Sequence, residues 1–294
     1  MSVFDMPAAA IYGQVFLGVI NGAFYAMLSL GLAIIFGVLR IVHFAQGAFY
    51  MVGAFLAWLL AQNAGLGFWY ALVIVPVVVA IAGMIIERTL LRRIRDLDHL
   101  YGLLLTLGLA MAVQAVIQLG YGTGGRPYPV PSSLEGLVDL GFMHLPLYRL
   151  AVLCASVAIC CITWLLIERT FIGAKLRAAT ENPVLSEILG LNVPALITVV
   201  YGFGVGLAAL AGVLAAPIYS VRPGMGGDLL IVTFAVVVIG GMGSIGGAVV
   251  AGFGIGLIEG LTKVIWPEAS GVMVFVVMAL VLLAKPAGLF GRAA

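Results

Sequence analysis

Residues Ile11 to Leu39 read IYGQVFLGVINGAFYAMLSLGLAIIFGVL, a stretch without a single Asp, Glu, Lys or Arg. A bilayer core of about 30 Å is crossed by about 20 apolar helical residues, so this run is long enough to span it. It is too long for the core of a signal peptide, about 7 to 15 residues, and no Lys or Arg precedes Arg40 to supply the charged leader. The first helix is therefore expected to stay with the chain. Working outward, similar apolar runs recur at about 47–62, 68–86, 102–120, 148–167, 194–216, 229–241, 248–265 and 271–284. Their continuity excludes a transmembrane barrel, whose strands alternate over about ten residues. The expected fold is an all-α polytopic membrane protein of about eight or nine transmembrane helices with Gly-rich interruptions. Residues 1–294 read as a single transmembrane domain.

Composition agrees. Of 294 residues 64% are hydrophobic and only 9% charged, against roughly 25% charged in a soluble domain. The net charge of +2, with its basic residues beside apolar runs and no basic patch, gives no reason to expect a nucleic acid partner. Cys154, Cys160 and Cys161 share one apolar run without metal, haem or disulfide spacing and read as packing residues.

Loop charges set the orientation. Arg40, Arg88, Arg92, Arg93, Arg95, Arg169, Lys175, Arg177, Lys285 and Arg292, ten of the fourteen basic residues, fall on one side when the helices alternate. The positive-inside rule makes that side cytoplasmic, with the N-terminus outside and the C-terminus inside. The segment 121–147 then becomes the largest external loop. Trp69, Tyr121, Tyr148, Tyr219 and Trp266 all gather at external ends, as an aromatic belt would.

Two Gly-containing joints stand at corresponding places in the first and last three spans: Phe44-Ala45-Gln46-Gly47 and Gly240 to Gly247. They fit either a transporter repeat, whose interrupted helices mark a path, or a chance similarity between Gly-rich helices. The second joint makes the span before it short, so that span is expected to be broken or re-entrant. No Lys-Ser or Lys-Thr follows its glycines, which excludes a phosphate loop and leaves this chain without an ATP site or other cofactor of its own. Gly202-Phe203-Gly204-Val205-Gly206 and Gly252-Phe253-Gly254-Ile255-Gly256 carry small residues four apart and are expected to pack helices closely.

Charges within the spans are few. Asp228 and Arg40 sit at span ends, while Glu259 and Lys263 lie four apart on one helix. The latter read either as a self-neutralising pair near the external end or as an ion-coupling acid with its neighbour. His43 is either a polar residue at the membrane boundary or a titrating gate. His99 and His144 fall in loops on opposite faces, and no catalytic set assembles.

The segment Phe171 to Asn192, FIGAKLRAATENPVLSEILGLN, reads as two short helices meeting at an elbow. Asn182 suits an N-cap, Pro183 the first helical position, and Gly190 the left-handed turn that ends the second helix. Neither helix is long enough to stand alone in water. A partner supports the elbow, or it rests as a basic amphipathic loop on anionic headgroups.

This segment resembles the cytoplasmic loop of permease subunits in the branched-chain amino acid family of ABC importers, the LivH type. The family's Gly, Arg-Ala, Glu and Leu-Gly-Ile-Asn appear as Gly173, Arg177-Ala178, Glu181 and Leu189-Gly190-Leu191-Asn192. Its Asn-Phe-Ala-His-Gly appears as His43-Phe44-Ala45-Gln46-Gly47, and its Gly-Gly-x-Gly-Ser-x-x-Gly-Ala as Gly240 to Ala248. An intramembrane acid, Glu259, and a Pro-x-Gly-Leu-Phe-Gly end at Pro286 to Gly291 follow. The joint order of these motifs carries the resemblance. His43 stands where the family has Asn and Gln46 where it has His, which alters the polar contacts at that joint.

The resemblance implies a permease that forms part of a membrane path for branched-chain or related hydrophobic amino acids and is not itself an enzyme. Its partners would be a second, related permease chain, two cytoplasmic ATPases and an external binding protein. Gly173, Arg177, Ala178, Glu181, Asn182, Leu189 and Gly190 would then form the coupling region within 171–192. Arg177 is the expected polar anchor, with Glu181 its intrahelical partner or an ATPase contact. The path would use His43, Phe44, Gln46 and Gly47 against Gly240, Gly241, Gly243 and Ser244, together with Glu259. Urea and short-amide permeases share much of this pattern, and an ion-coupled carrier or channel is the rival class. Gly243→Val is expected to abolish uptake while leaving assembly intact, as radiolabelled uptake beside detergent co-purification would read.

Overall fold

The computed structural model describes residues 8–39, 41–95, 97–139, 141 and 143–291. Arg40 and Arg292, two of the basic residues counted for orientation, lie outside the described residues. The helices follow the apolar runs: α1 (Ala8–Leu39), α2 (Gln46–Ala64), α3 (Phe68–Ile86), α4 (Arg92–Ile94), α5 (His99–Tyr121), α6 (Leu147–Arg169), α7 (Phe171–Glu181), α8 (Pro183–Ile188), α9 (Val193–Ala215), α10 (Met225–Gly240), α11 (Ile245–Ile265) and α12 (Ser270–Ala284). Eight helical stretches among the described residues are long and apolar enough to cross a bilayer. The chain is an all-α polytopic membrane protein.

The burial of each span sorts them. In α1 and α9 78% of the most apolar stretch is buried, whereas α5 keeps 11% and α12 only 6%. A span that is apolar all round and buried belongs to the centre of a bundle. An apolar helix left exposed faces lipid. The centre is built on close backbone contact. A Cβ on Gly256 would strike the backbone of Gly18 and Gly22, one on Gly252 the backbone of Ala26, and one on Gly260 the carbonyl of Gln14. These positions repeat every four residues on both α1 and α11, so the helices lie antiparallel along one seam. Gly53 and Gly212 bring α2 and α9 together in the same way, against Ala209 and Tyr50. Gly202 and Gly206 face α3 at Ala80, and Gly204 faces α1 at Gly31. Water-driven burial contributes little between helices in lipid. Close approach maximises dispersion contacts instead.

Several expectations change in the tertiary structure. The expected loop from Glu87 to Asp98 is largely helical, because α3 continues through a π turn (Glu87–Leu91) into α4. The run at 229–241 forms one unbroken helix, α10, whose first turns line one cavity, while the turn that follows it, Met242 to Ser244, lines another on the opposite face of the bundle. His99 opens α5 and His144 opens a strand, so neither backbone lies in a loop. Cys160 is buried as a packing residue, while Cys154 and Cys161 are exposed.

The segment 121–147 holds a short hairpin, β1 (Leu137–Asp139) against β2 (His144–Pro146), and is pinned to the α9–α10 connection by an Arg126–Val221 bridge. Here the aromatic collar forms. Phe68 meets Tyr148 edge to face, Trp58 meets Tyr121, and the Arg126 guanidinium sits 5.3 Å from the Trp58 ring.

Gly256→Val is expected to lower the melting temperature of the detergent-purified chain by several degrees, since overpacking costs about 1–3 kcal/mol. Gly254→Val, where an added Cβ meets open space, is expected to leave it nearly unchanged. A thermal-shift comparison of the two checks the seam.

Candidate functional site

The α7–α8 elbow is held from three sides. Thr170 Oγ1 donates to the Leu166 carbonyl as α6 ends, and Arg177 Nη1 donates to the Ile167 carbonyl at 2.7 Å. Gly173 lies so close to that carbonyl that a Cβ would collide with it, which is why α7 can fold back on α6. Ala179 is buried with Val193 and Ile197 of α9, and Val38 and Leu39 of α1 pack against them. The caps follow local chemistry. Asn182 Oδ1 accepts from the Leu185 N–H at 3.0 Å, Pro183 begins α8, and Gly190 takes φ +86°.

The anchor differs in its partner. Arg177 reaches back to Glu168 Oε2 at 3.5 Å, and among the described residues it forms no pair with Glu181. The Ile167 carbonyl at the end of α6 is an unsatisfied acceptor and draws the guanidinium toward it. Sequence reading also passed over Val184, Leu185 and Ile188. With Leu189 they leave an apolar face of α8 exposed, Ile188 and Leu189 at 75% and 74%. Their signal was present in the sequence as apolar pairs one turn apart.

A cavity of about 630 Å³ opens beside the elbow, between Gly37 of α1, Glu168, Arg177, and the turn at Gly243 and Ser244. That turn is tight. Gly241 and Gly243 have φ of +98° and +85°, and Ser244 Oγ caps α11 by accepting from the Gly247 N–H. Gly240 abuts Gly247, and the chain end folds over both, with Leu289 N–H donating to the Ile239 carbonyl and Phe290 N–H to the Gly240 carbonyl. The Gly-rich joint and the Pro286–Gly291 end, read separately in the sequence, form one cap on α10.

The other joint lies elsewhere. His43 is 2% exposed and faces Tyr201 Oη at 3.2 Å, with Phe49 stacked on its ring. It is a core residue, because α9 and α2 supply both partners. Phe44 N–H donates to Thr106 Oγ1, and Phe44 stacks on Phe234 of α10. Gly47 meets Gly226 backbone to backbone. Gln46 Nε2 donates to the Gly204 carbonyl at 3.3 Å, while its Oε1 is buried with no hydrogen-bond partner among the described residues. The expected facing of the two joints is not what the structure forms: His43 to Gly47 pack within the bundle, and Gly240 to Ser244 face the elbow.

Glu259 belongs to a third place, a cavity of about 560 Å³ at the face opposite the elbow, where it meets Lys263, Tyr25, Asp228 and Arg222. Lys263 Nζ donates to Glu259 Oε1 at 2.5 Å, and Tyr25 Oη donates to Oε2 at 2.7 Å. Tyr50 and Leu229 form its floor and also line the closed slot that holds Gln46 and Gly47. The bundle therefore has an open chamber at each face, and the first joint lies beneath the floor of the one that holds Glu259. A further buried acid was missed. Glu87, 0% exposed in the π turn, accepts from Thr198 Oγ1 at 2.6 Å and from Arg95 at 3.2 Å. Its place after an apolar run suggested a loop, but the π turn rotates it inward, where paired partners offset the cost of burial.

The chain matches, over residues 14–282, the protein family described as "Branched-chain amino acid transport system / permease component". It is 29% identical to the high-affinity branched-chain amino acid transport system permease protein LivH of Escherichia coli (strain K12), with 95% of each chain covered. It is also 29% identical to the corresponding permease protein BraD of Pseudomonas aeruginosa, with 94% of each covered. The permease protein LivM of Escherichia coli is 27% identical over 75% of this chain and 57% of its own. No solved structure matches this chain.

Proposed function

This chain belongs to the permease family of branched-chain amino acid transport systems, and on that premise we propose that it is the membrane-spanning subunit of an ATP-driven importer of branched-chain amino acids. The observation that carries the reading is the family match along nearly the whole chain, on a bundle with a chamber at each face. Relatives named for branched-chain amino acids favour that cargo over urea or short amides. The chain itself forms part of the path. Separate ATPase subunits supply the free energy, and an external binding protein delivers cargo.

The basic residues whose positions are described divide as the positive-inside rule requires, with the elbow side cytoplasmic and the outer chamber facing out. The C-terminus is then cytoplasmic and the N-terminus external. The likeness to LivM supports a second, related permease chain as partner. One transmembrane domain, 1–294, carries all of this.

The elbow is the coupling element. Its exposed apolar α8 face lies outside the spans, where lipid tails do not cover it, and the ATPase is its occupant. Gly173, Arg177 and Ala179 tie that face to α6, α9 and α1, so a shift of the docked helix reaches the bundle as a rigid displacement. Packed helices answer such a push by switching between arrangements. The Gly240–Ser244 turn, beside the elbow, is the first part of the path to feel it. Gln46 and Gly47 form the constriction between the chambers.

Replacing Ile188 and Leu189 by Glu is expected to lower ATP-dependent leucine uptake by about tenfold or more, the usual cost of losing an interface anchor. Membrane insertion and melting temperature should persist, because these side chains are exposed. Unchanged uptake in the double variant overturns the coupling role. Uptake that survives ATP depletion while an ion gradient is held overturns the importer reading itself.

A further inference from the structure

The outer chamber carries chemistry that a purely apolar channel does not need. Within it Glu259 and Asp228 are matched by Lys263 and Arg222, two charges of each sign. Arg222 Nη2 donates to Asp228 Oδ2 at 2.5 Å, and both side chains are more than half exposed at the rim. Glu259 is deeper, its side chain 13% exposed, and Lys263 stands at 38%. Burying charge in a membrane protein is costly and persists where it serves the path.

The deeper pair is not saturated. A carboxylate offers about four lone-pair sites and an ammonium three donors. Glu259 uses one site on each oxygen, toward Tyr25 and Lys263, and Lys263 donates to Glu259 with one proton. Each group retains capacity for a partner of opposite charge. An excess of one sign would select a cation or an anion, whereas balanced pairs favour a dipolar solute. Part of the remaining wall is apolar, formed by Phe24, Ile218, Met225 and Leu229, and it stands beside the polar side chains of Asn21, Tyr219 and Ser220. A volume of about 560 Å³ falls in the range of small-molecule sites, about 300–1,000 Å³.

We propose that the outer chamber is a binding site for a free α-amino acid with an aliphatic side chain, in which Glu259 accepts from the cargo's ammonium, Lys263 donates to its carboxylate, and the apolar wall takes the side chain. This rests on the importer reading and adds a recognition step of the permease's own, separate from that of the external binding protein. Tyr25 is a positioning residue: its hydroxyl holds one Glu259 oxygen and orients the carboxylate. Beneath the floor, the unpartnered Gln46 Oε1 supplies the next polar acceptor along the route.

The test uses the assembled transporter in lipid vesicles, with Cys154, Cys160 and Cys161 replaced by Ala and Ser220→Cys placed on the chamber wall. A membrane-impermeant thiol reagent reports access to position 220. L-Leucine is expected to slow labelling, while 3-methylbutylamine and 4-methylpentanoate, each lacking one charged group, protect far less. Glu259→Gln is expected to raise the leucine concentration needed for protection by about tenfold or more, the loss of one charge-assisted hydrogen bond. The exchange Glu259→Lys with Lys263→Glu restores a pair but inverts the recognition. Protection should stay lost there, and its recovery would assign the pair a structural role only and overturn the proposal. Equal protection by all three compounds would overturn it too. A transporter that imports leucine without leucine protecting position 220 overturns this site alone. One that imports no branched-chain amino acid overturns the importer reading, whatever the labelling shows.

Discussion

Backbone-to-backbone contact between α1 and its neighbours governs the rest of this structure. In lipid, helices gain little from leaving one apolar surrounding for another, so their association depends on how near their axes come. Gly18, Gly22, Gly252, Gly256 and Gly260 allow α1 and α11 to touch along several turns, and Gly31 with Gly204 brings α9 to the other side. Close approach also seats the first joint inside the bundle, where Gly47 abuts Gly226 of α10 and Gln46 bonds the Gly204 carbonyl of α9.

That arrangement separates two jobs that a transporter has to perform. In the proposed importer cargo meets the chamber around Glu259, where charge is paired and part-buried, while force enters at the elbow, where apolar side chains are exposed and polar anchors fix the backbone. Between them lie α1 and α11, each reaching from one chamber to the other. A rigid element shared by both chambers lets a displacement at one face alter the width of the other. The closed slot at Gln46, Gly47 and Tyr50 is lined by no charged residue, so opening it as the proposed path requires no ion pair to be broken there.

Much of the fold was legible because it is local. Span positions followed from run length. The caps at Asn182 and Gly190 followed from side-chain reach and backbone freedom, and the Glu259–Lys263 pair from the helical repeat. The candidate site was legible only in pieces. Arg177 was identified as an anchor, but its acceptor is a carbonyl ten residues upstream on another helix, and no spacing rule selects that over Glu181. His43 looked like a boundary residue because its sequence neighbours end a span. Tyr201, 158 positions away, makes it a core residue.

By itself the sequence determined that the chain lives in a membrane, where its apolar runs lie, which ends of them carry positive charge, and that two short helices interrupt it at residues 171–192. These depend on bilayer thickness, charge and capping, each decided within a few residues. Only the tertiary structure decided that the Gly-rich turn joins the chain end, that Glu87 turns inward, and that Tyr25, Asp228 and Glu259 meet around one chamber. Such meetings arise from close packing of helices distant in the chain, and close packing is set by the shapes of both partners at once, which no single stretch of sequence contains.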